Sequence, residues 1–354
     1  MANRTLTPPR SSTSARTAGH RANSLDWNPL RSSSGAATLA APEALIFPGS
    51  RGFGAGDTRV QPLAASALRG WLGVFAELFK ARLTFLVLVT TLVGFYMGAH
   101  GETAGWLMLH TLLGTALVAA GASALNQWWE RDYDACMRRT RSRPLPAGLL
   151  QPSTVLAIGI SCAAAGLVYL AIAVNLATCG LGAASLLSYI LLYTPLKRKT
   201  WLNTAVGAIP GGLPPLMGWT AAHGRLSAEG WTLFGILALW QLPHFMAIAW
   251  IYRDEYARAG FKMLPVIDPS GARTSRHALI QTLLLLPLSL CPYFLGMTGP
   301  LYLYGALVLG AAFVWHATRF WREATVTRAR QLFLISILYL PVLLVLMAVA
   351  RRGQ

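Results

Sequence analysis

From about residue 83 to about residue 350 the chain alternates long apolar runs with short polar connections. A helix needs about 20 apolar residues to cross a bilayer core. Nine runs approach that length, at about 83–99, 106–126, 154–173, 176–194, 203–221, 231–252, 278–297, 301–319 and 331–350. The pattern therefore predicts an all-α integral membrane protein, a bundle of nine transmembrane helices. The run at 203–221 contains Pro210-Gly-Gly-Leu-Pro-Pro215-Leu-Met-Gly218. Prolines and glycines are tolerated inside membrane helices, where they either bend the helix and widen the bundle or let two helices approach closely.

The connections carry a second pattern. Those after even-numbered runs hold Arg131, Arg138, Arg139, Arg141 and Arg143, then Lys197, Arg198 and Lys199, then Arg253, Arg258, Lys262, Arg273 and Arg276, then Arg319, Arg322, Arg328 and Arg330. Those after odd-numbered runs are short and hold Arg225. Cytoplasmic loops collect Lys and Arg, so the even loops and the N-terminus are expected on the cytoplasmic side, or on the matrix side in an organelle. The terminal Arg351–Arg352 pair runs against this rule.

Composition supports the lipid-embedded reading. The 354 residues are 54% hydrophobic and 12% charged, against about 25% charged in an ordinary soluble domain. The net charge of +17 could serve nucleic acid, a membrane surface or an anionic substrate. Because the basic residues lie between apolar runs, topology and phosphate binding are favoured and nucleic acid is not. The four cysteines have no metal-ligand spacing and suggest no disulfide framework. Residues 1–66 form a separate basic leader, rich in Ser, Ala, Gly, Pro and Arg, with Asp26, Glu43 and Asp57 as its acids. It lacks the apolar core of a secretory signal. Disorder is expected there, as either an organelle-targeting segment or a basic tail, with the membrane domain at 67–354.

The acids of the membrane domain concentrate in two even loops. In the first, Asn126, Glu130 and Asp134 are spaced i, i+4, i+8. On a continuing helix they drift by only about 80° and share a face. Arg138 would extend that stripe by a turn, whereas Asp132 points away. An amide oxygen and two carboxylates suit Mg²⁺, whose coordination shell substrate phosphate can complete. The alternative is a solvated helix end with ion pairs. The second acidic loop holds Asp254 and Glu255 and follows the first by four runs, so both reach the same side. Together they could clamp a diphosphate; otherwise they are a surface pair neutralised by Arg253 and Arg258. Lys197 and Arg198 follow Tyr193 and either anchor the helix end or bind phosphate. Lys80 and Arg82, at the mouth of the first run, are open to the same two readings. His244, inside the sixth run, is either a satisfied core residue or a contact to the acceptor.

These residues together resemble the UbiA-type intramembrane prenyltransferases, and among them the haem O synthase family. The likeness covers about residues 78–350. Asn126, Glu130 and Asp134 match the outer positions of the first Asp-rich motif, with Gln127 and Glu130 in place of the usual Asp residues. Arg139-Thr-Arg-Ser-Arg-Pro-Leu145, Leu196-Lys-Arg-Lys-Thr200, Gly211-Gly-Leu-Pro-Pro-Leu-Met-Gly-Trp219 and Ala259-Gly-Phe-Lys-Met-Leu-Pro-Val266 also match. The second motif departs, with Arg258 and Ala259 where its closing Asp would fall.

The resemblance implies a UbiA-type nine-helix bundle and an Mg²⁺-dependent prenyltransferase. Farnesyl diphosphate would be its donor and a haem B vinyl group its acceptor, giving haem O for cytochrome oxidase. It implies Asn126, Glu130, Asp134 and Lys197 as catalytic residues, with Asp254 and Glu255 as further metal ligands. Arg82, Arg138, Arg139, Lys197 and Arg198 would bind diphosphate, and His244 and Tyr193 would line the acceptor pocket. It also implies a multi-pass protein of the bacterial inner membrane or the mitochondrial inner membrane, with a haem A synthase as a downstream partner. The alternatives are a UbiA-type enzyme with an aromatic acceptor and a membrane transporter.

Overall fold

The computed structural model describes residues 63–99 and 105–352, which fold as helices with no strand beyond one isolated bridge, Thr298 to Arg351. The helices are α1 (Leu63–Leu78), α2 (Ala81–Gly98), α3 (Gly105–Asp134), α4 (Pro152–Ala173), α5 (Leu176–Leu187), α6 (Thr194–Lys199), α7 (Asn203–His223) and α8 (Ala228–Ile251). The short α9 (Arg253–Arg258) and α10 (Leu264–Ile267) follow, then α11 (Ala272–Phe294), α12 (Pro300–Arg322) and α13 (Val326–Val349). The expected leader, residues 1–66, lies almost wholly outside the described residues.

Eight helices are long and apolar enough to cross a membrane, with α5 and α6 joined through one π-helical turn, Ser188–Tyr193, into the span Leu176–Lys199. The fifth predicted run, 203–221, is present as α7 but is not one of the eight. Its place in the bundle explains why. Fifteen of its 21 residues are buried, including Pro210, Pro214, Pro215 and Trp219. A helix wrapped in other helices has little lipid to satisfy and can carry small and polar residues.

The glycines of α7 serve close approach. A methyl group at Gly218 would lie 1.9 Å from the Thr91 carbonyl oxygen of α2. One at Gly94 of α2 would lie 2.0 Å from the Pro215 oxygen. The two backbones are therefore in direct contact, as small residues permit between membrane helices. Pro214 has no N–H to offer the Pro210 carbonyl four residues earlier. The hydroxyl of Ser185 donates to that oxygen instead, at 3.2 Å.

α3 packs on α4, α2 on α7, α7 on α8, and α8 on α11 and α13. The largest core lies among α8 and α11–α13, around fully buried Tyr302, Phe313, Phe320 and Tyr339. The even loops converge at one end of the bundle. Arg139, Lys197 and Tyr256, from three of them, line one cavity. A methyl group at Gly271 would lie 2.7 Å from Ala324 of the fourth. At the other end Arg351 donates to the Ala99 carbonyl and lies 4.7 Å over the Tyr96 ring, while Arg352 covers Tyr293. This pair closes helix ends, which accounts for its exception to the charge pattern.

Besides the short α9 and α10, one longer helix was not expected from the sequence. α1 has 16 residues and carries Arg69 and Gly70 midway, so no apolar run of membrane-spanning length marks it. It leaves Trp71 and Leu72 exposed and buries Leu78 against Ala124, Leu145 and Val155. Gln127, fully buried on α3, donates to the Glu77 and Leu78 carbonyls at 2.9 and 2.8 Å. It thus caps the C-terminal end of α1, where carbonyls lack helical partners.

Candidate active site

Asn126, Glu130 and Asp134 occupy one face of α3, and all three are buried. Each is held by a cation. Lys80 Nζ donates to Asn126 Oδ1 at 2.7 Å. Lys197 Nζ donates to both Glu130 oxygens at 2.7 and 3.1 Å. Arg143 Nη1 donates to Asp134 Oδ2 at 2.6 Å. The Asn126 amide nitrogen is engaged as well, donating to the Thr194 hydroxyl at 3.1 Å.

Local structure explains how the cations arrive. Lys80 sits in the elbow between α1 and α2 with φ 48°, a left-handed conformation that non-glycine residues rarely adopt. Arg143 returns because α3 stops at Asp134, where the Thr140 hydroxyl bonds the Asp134 carbonyl at 2.9 Å and turns the chain back. The π-helical turn shifts the register ahead of α6, a feature often found at functional sites. It stacks Tyr189 on Tyr193 at 5.6 Å and sets Lys197 Nζ 4.6 Å over the Tyr193 ring.

These side chains form the mouth of a cavity of about 410 Å³. Its polar rim holds Lys80, Arg139, Arg143, Lys197, Asn126 and Glu130, and its apolar walls include Leu83, Val87, Val118, Met217, Phe245 and Ile248. Four cations thus face one carboxylate, and cations outnumber acids even when Asp134 is counted. Burial, then repulsion from Arg143 and Lys197, pulls Lys80 down to about 7, against attraction from Glu130 and Asp134. A multiply charged anion placed here would relieve that excess of positive charge.

Among the described residues no three His, Cys, Asp or Glu side chains gather closely enough to hold a metal ion. The oxygen donors nevertheless fit Mg²⁺ in adjacent pairs. Asn126 and Asp134 are about 12 Å apart along the helix axis, too far for one ion, but Asn126–Glu130 or Glu130–Asp134 could each share one with phosphate oxygens.

Several expected site residues lie elsewhere. Arg82 and Arg138 are exposed and do not line the cavity. α3 ends before Arg138, so the predicted extra turn of the stripe does not exist. Asp254 is exposed and Glu255 half-buried on α9, and neither lines the cavity. The α9 side chain that does is Tyr256, and Asp254 is about 200° from it around the helix. Arg198 lines a separate outer cleft, beside Tyr133. His244 also faces away. α8 turns Gln241, Phe245 and Ile248 to the cavity, whereas the His244 ring stacks between Trp240 and Phe333 and its Nδ1 meets Ser336 Oγ at 2.7 Å. Arg139, Lys197 and Tyr193 do line the cavity. Lys80, Arg143 and Tyr189 were not selected from sequence. Lys80 was ambiguous with Arg82, and nothing in the arginine run sets Arg143 apart.

The fold and site define a helical membrane protein with a basic-rimmed, apolar-walled cavity at one end. Residues 87–340 match the model of the UbiA prenyltransferase family. A protoheme IX farnesyltransferase from Solibacter usitatus is 48% identical over 289 residues, which are 79% of this chain and 99% of the relative. A digeranylgeranylglyceryl phosphate synthase has the same fold, with TM-score 0.67 and 19% identity over 79% of this chain and 98% of that one. So does a UbiA homologue from Archaeoglobus fulgidus bound to GPP and Mg²⁺, with TM-score 0.60 and 15% identity over 77% of this chain and 99% of that one. The chain belongs to the UbiA prenyltransferase family, within its protohaem IX farnesyltransferase branch.

Proposed function

We propose that this chain transfers the farnesyl group of farnesyl diphosphate to a vinyl group of haem B, with addition of water, to give haem O and diphosphate. Its similarity to the Solibacter farnesyltransferase over nearly that protein's whole length supports the acceptor. The observation that carries the donor is the surplus of Lys80, Arg139, Arg143 and Lys197 over Glu130 at the mouth of an apolar cavity. A polyanionic head with a long hydrocarbon tail answers both halves of that cavity.

Lys80, Arg143 and Lys197 hold the diphosphate as its bond to the farnesyl carbon breaks, and so stabilise the charge that develops on the leaving oxygen. Mg²⁺ shared by an adjacent pair of Asn126, Glu130 and Asp134 would add positive charge at the same oxygens. The apolar walls from α2, α3, α7 and α8 hold the isoprenoid and exclude water while the allylic cation lasts. The vinyl π-bond then forms the carbon–carbon bond, water adds to the remaining carbon, and one proton leaves. The charge pattern supports a cavity mouth on the cytoplasmic side of a bacterial inner membrane, or on the matrix side in a mitochondrion. The product suits an oxidising enzyme such as a haem A synthase.

The test is incubation of membranes holding this chain with haem B, farnesyl diphosphate and Mg²⁺, followed by mass analysis of the pigment. A gain of farnesyl plus water is expected, and it should vanish without the metal. Farnesylation of an aromatic acceptor in preference to haem B would overturn the acceptor assignment.

A further inference from the structure

The donor cavity has a neighbour that the proposed reaction leaves unused. On the far side of Glu130 lies a second cleft of about 470 Å³, between the end of α3, α6 and the turn at 260–262. Among the described residues Glu130 alone lines both. Arg198, Lys199 and Lys262 ring the cleft, and its one carboxylate already holds Lys197. Trp129, Tyr133 and Phe261 supply aromatic walls.

The cleft is held together by named contacts. Consecutive residues on α6 differ by about 100°, so Lys197 faces the donor cavity while Arg198 faces outward. Arg198 lies 4.3 Å over the Tyr133 ring and also donates to its hydroxyl. Gly260, with φ 71°, allows the turn that buries Phe261 against Tyr133 and leaves Lys262 on the rim. The Lys262 amide donates to the Lys197 carbonyl at 2.8 Å and ties that turn to α6.

We infer that this outer cleft docks the carboxylates of a planar aromatic dianion, which under the function proposed above is haem B. Two features favour this ligand over released diphosphate, the other anion of the reaction. The cations are spread over α6 and a separate turn, which suits two separated carboxylates better than one compact head. The aromatic walls offer a slot for a flat apolar ring, which a diphosphate does not need. With its carboxylates at the rim, the opposite edge of the macrocycle points toward Glu130 and the donor cavity. The assignment also accounts for Arg198 standing outside the donor site.

The test is a titration of the full chain in detergent with haem B and with its dimethyl ester, read from the Soret band. Inorganic pyrophosphate, read by its inhibition of farnesyl transfer, is the second probe. Loss of charge-assisted hydrogen bonds predicts that the intact chain binds haem B about ten-fold more tightly than the ester. R198Q/K262Q should abolish that preference and leave pyrophosphate inhibition unchanged. K262Q alone, expected to reduce the preference, serves if the double variant does not fold. A preference that survives substitution overturns the assignment, as does a loss confined to pyrophosphate. In both cases continued haem O formation by the unsubstituted chain keeps the proposed function intact. Failure of that chain to make haem O overturns the function and this inference together.

Discussion

Lys80 is the one described residue other than glycine with a positive φ. Strain of this kind persists where surrounding contacts enforce it, and it clusters at functional sites. Here the enforcing contacts are Asn126 and Tyr189, at 2.7 and 3.2 Å. Loss of one preorganised donor commonly costs about 10² to 10³ in turnover. Lys80→Ala is therefore expected to lower farnesyl transfer about 100-fold, and Arg82→Ala, exposed and off the cavity, to change it less than three-fold as read by the same haem O assay. The Lys197–Glu130 pair supports a second prediction. Removing one partner of a buried pair costs about 3–5 kcal/mol, because the other charge is left uncompensated. Lys197→Met should lower the unfolding midpoint in detergent, and adding Glu130→Leu should restore most of it without restoring activity. Equal stability of the single and double variants would contradict the pairing.

At the scale of elements, α2 and α7 are joined where Gly94 and Gly218 meet backbone carbonyls. Gly218→Ala must separate the helices, at a cost of about 1–3 kcal/mol for overpacking. The thermal midpoint should fall, and the cavity between these helices should loosen. α11 gives a prediction with a pH sign. Asp268 Oδ2 accepts from the Thr274 amide and hydroxyl at 2.8 and 2.9 Å in the first turn of that helix. Burial raises the Asp268 carboxyl, but the bonds from Thr274 and Ser270 outweigh it and hold the group below the usual range. A lowered folded value means the stabilisation is complete above the ordinary aspartate value and fades as pH falls through the folded one. Asp268→Ala should cost about 1 kcal/mol at neutral pH, with the difference from the unsubstituted chain closing in acid.

Over the whole molecule, sequence carried the long lipid-facing helices and the common end of the even loops, because apolar run length and loop charge are written residue by residue. It carried the α3 stripe because i, i+4, i+8 is a local relation. It missed features that depend on where the chain turns. α3 stops at Asp134, so Arg138 leaves the site while Arg143 returns to it. α9 turns Tyr256 inward and Asp254 out. The α8 face that meets the cavity passes through Phe245 and leaves His244 to Ser336. The run at 203–221 located α7, but that helix is not among the eight apolar enough to span, since most of it is buried against protein.

The most direct measurement is a structure of the full chain with Mg²⁺ and a non-hydrolysable farnesyl diphosphate analogue. The account predicts the diphosphate within hydrogen-bond reach of Lys80, Arg143 and Lys197, with those cations drawn off Asn126, Asp134 and Glu130 and the tail running past Val118 and Met217. A diphosphate seated among Arg198, Lys199 and Lys262, with the three pairs on α3 still closed, would contradict it.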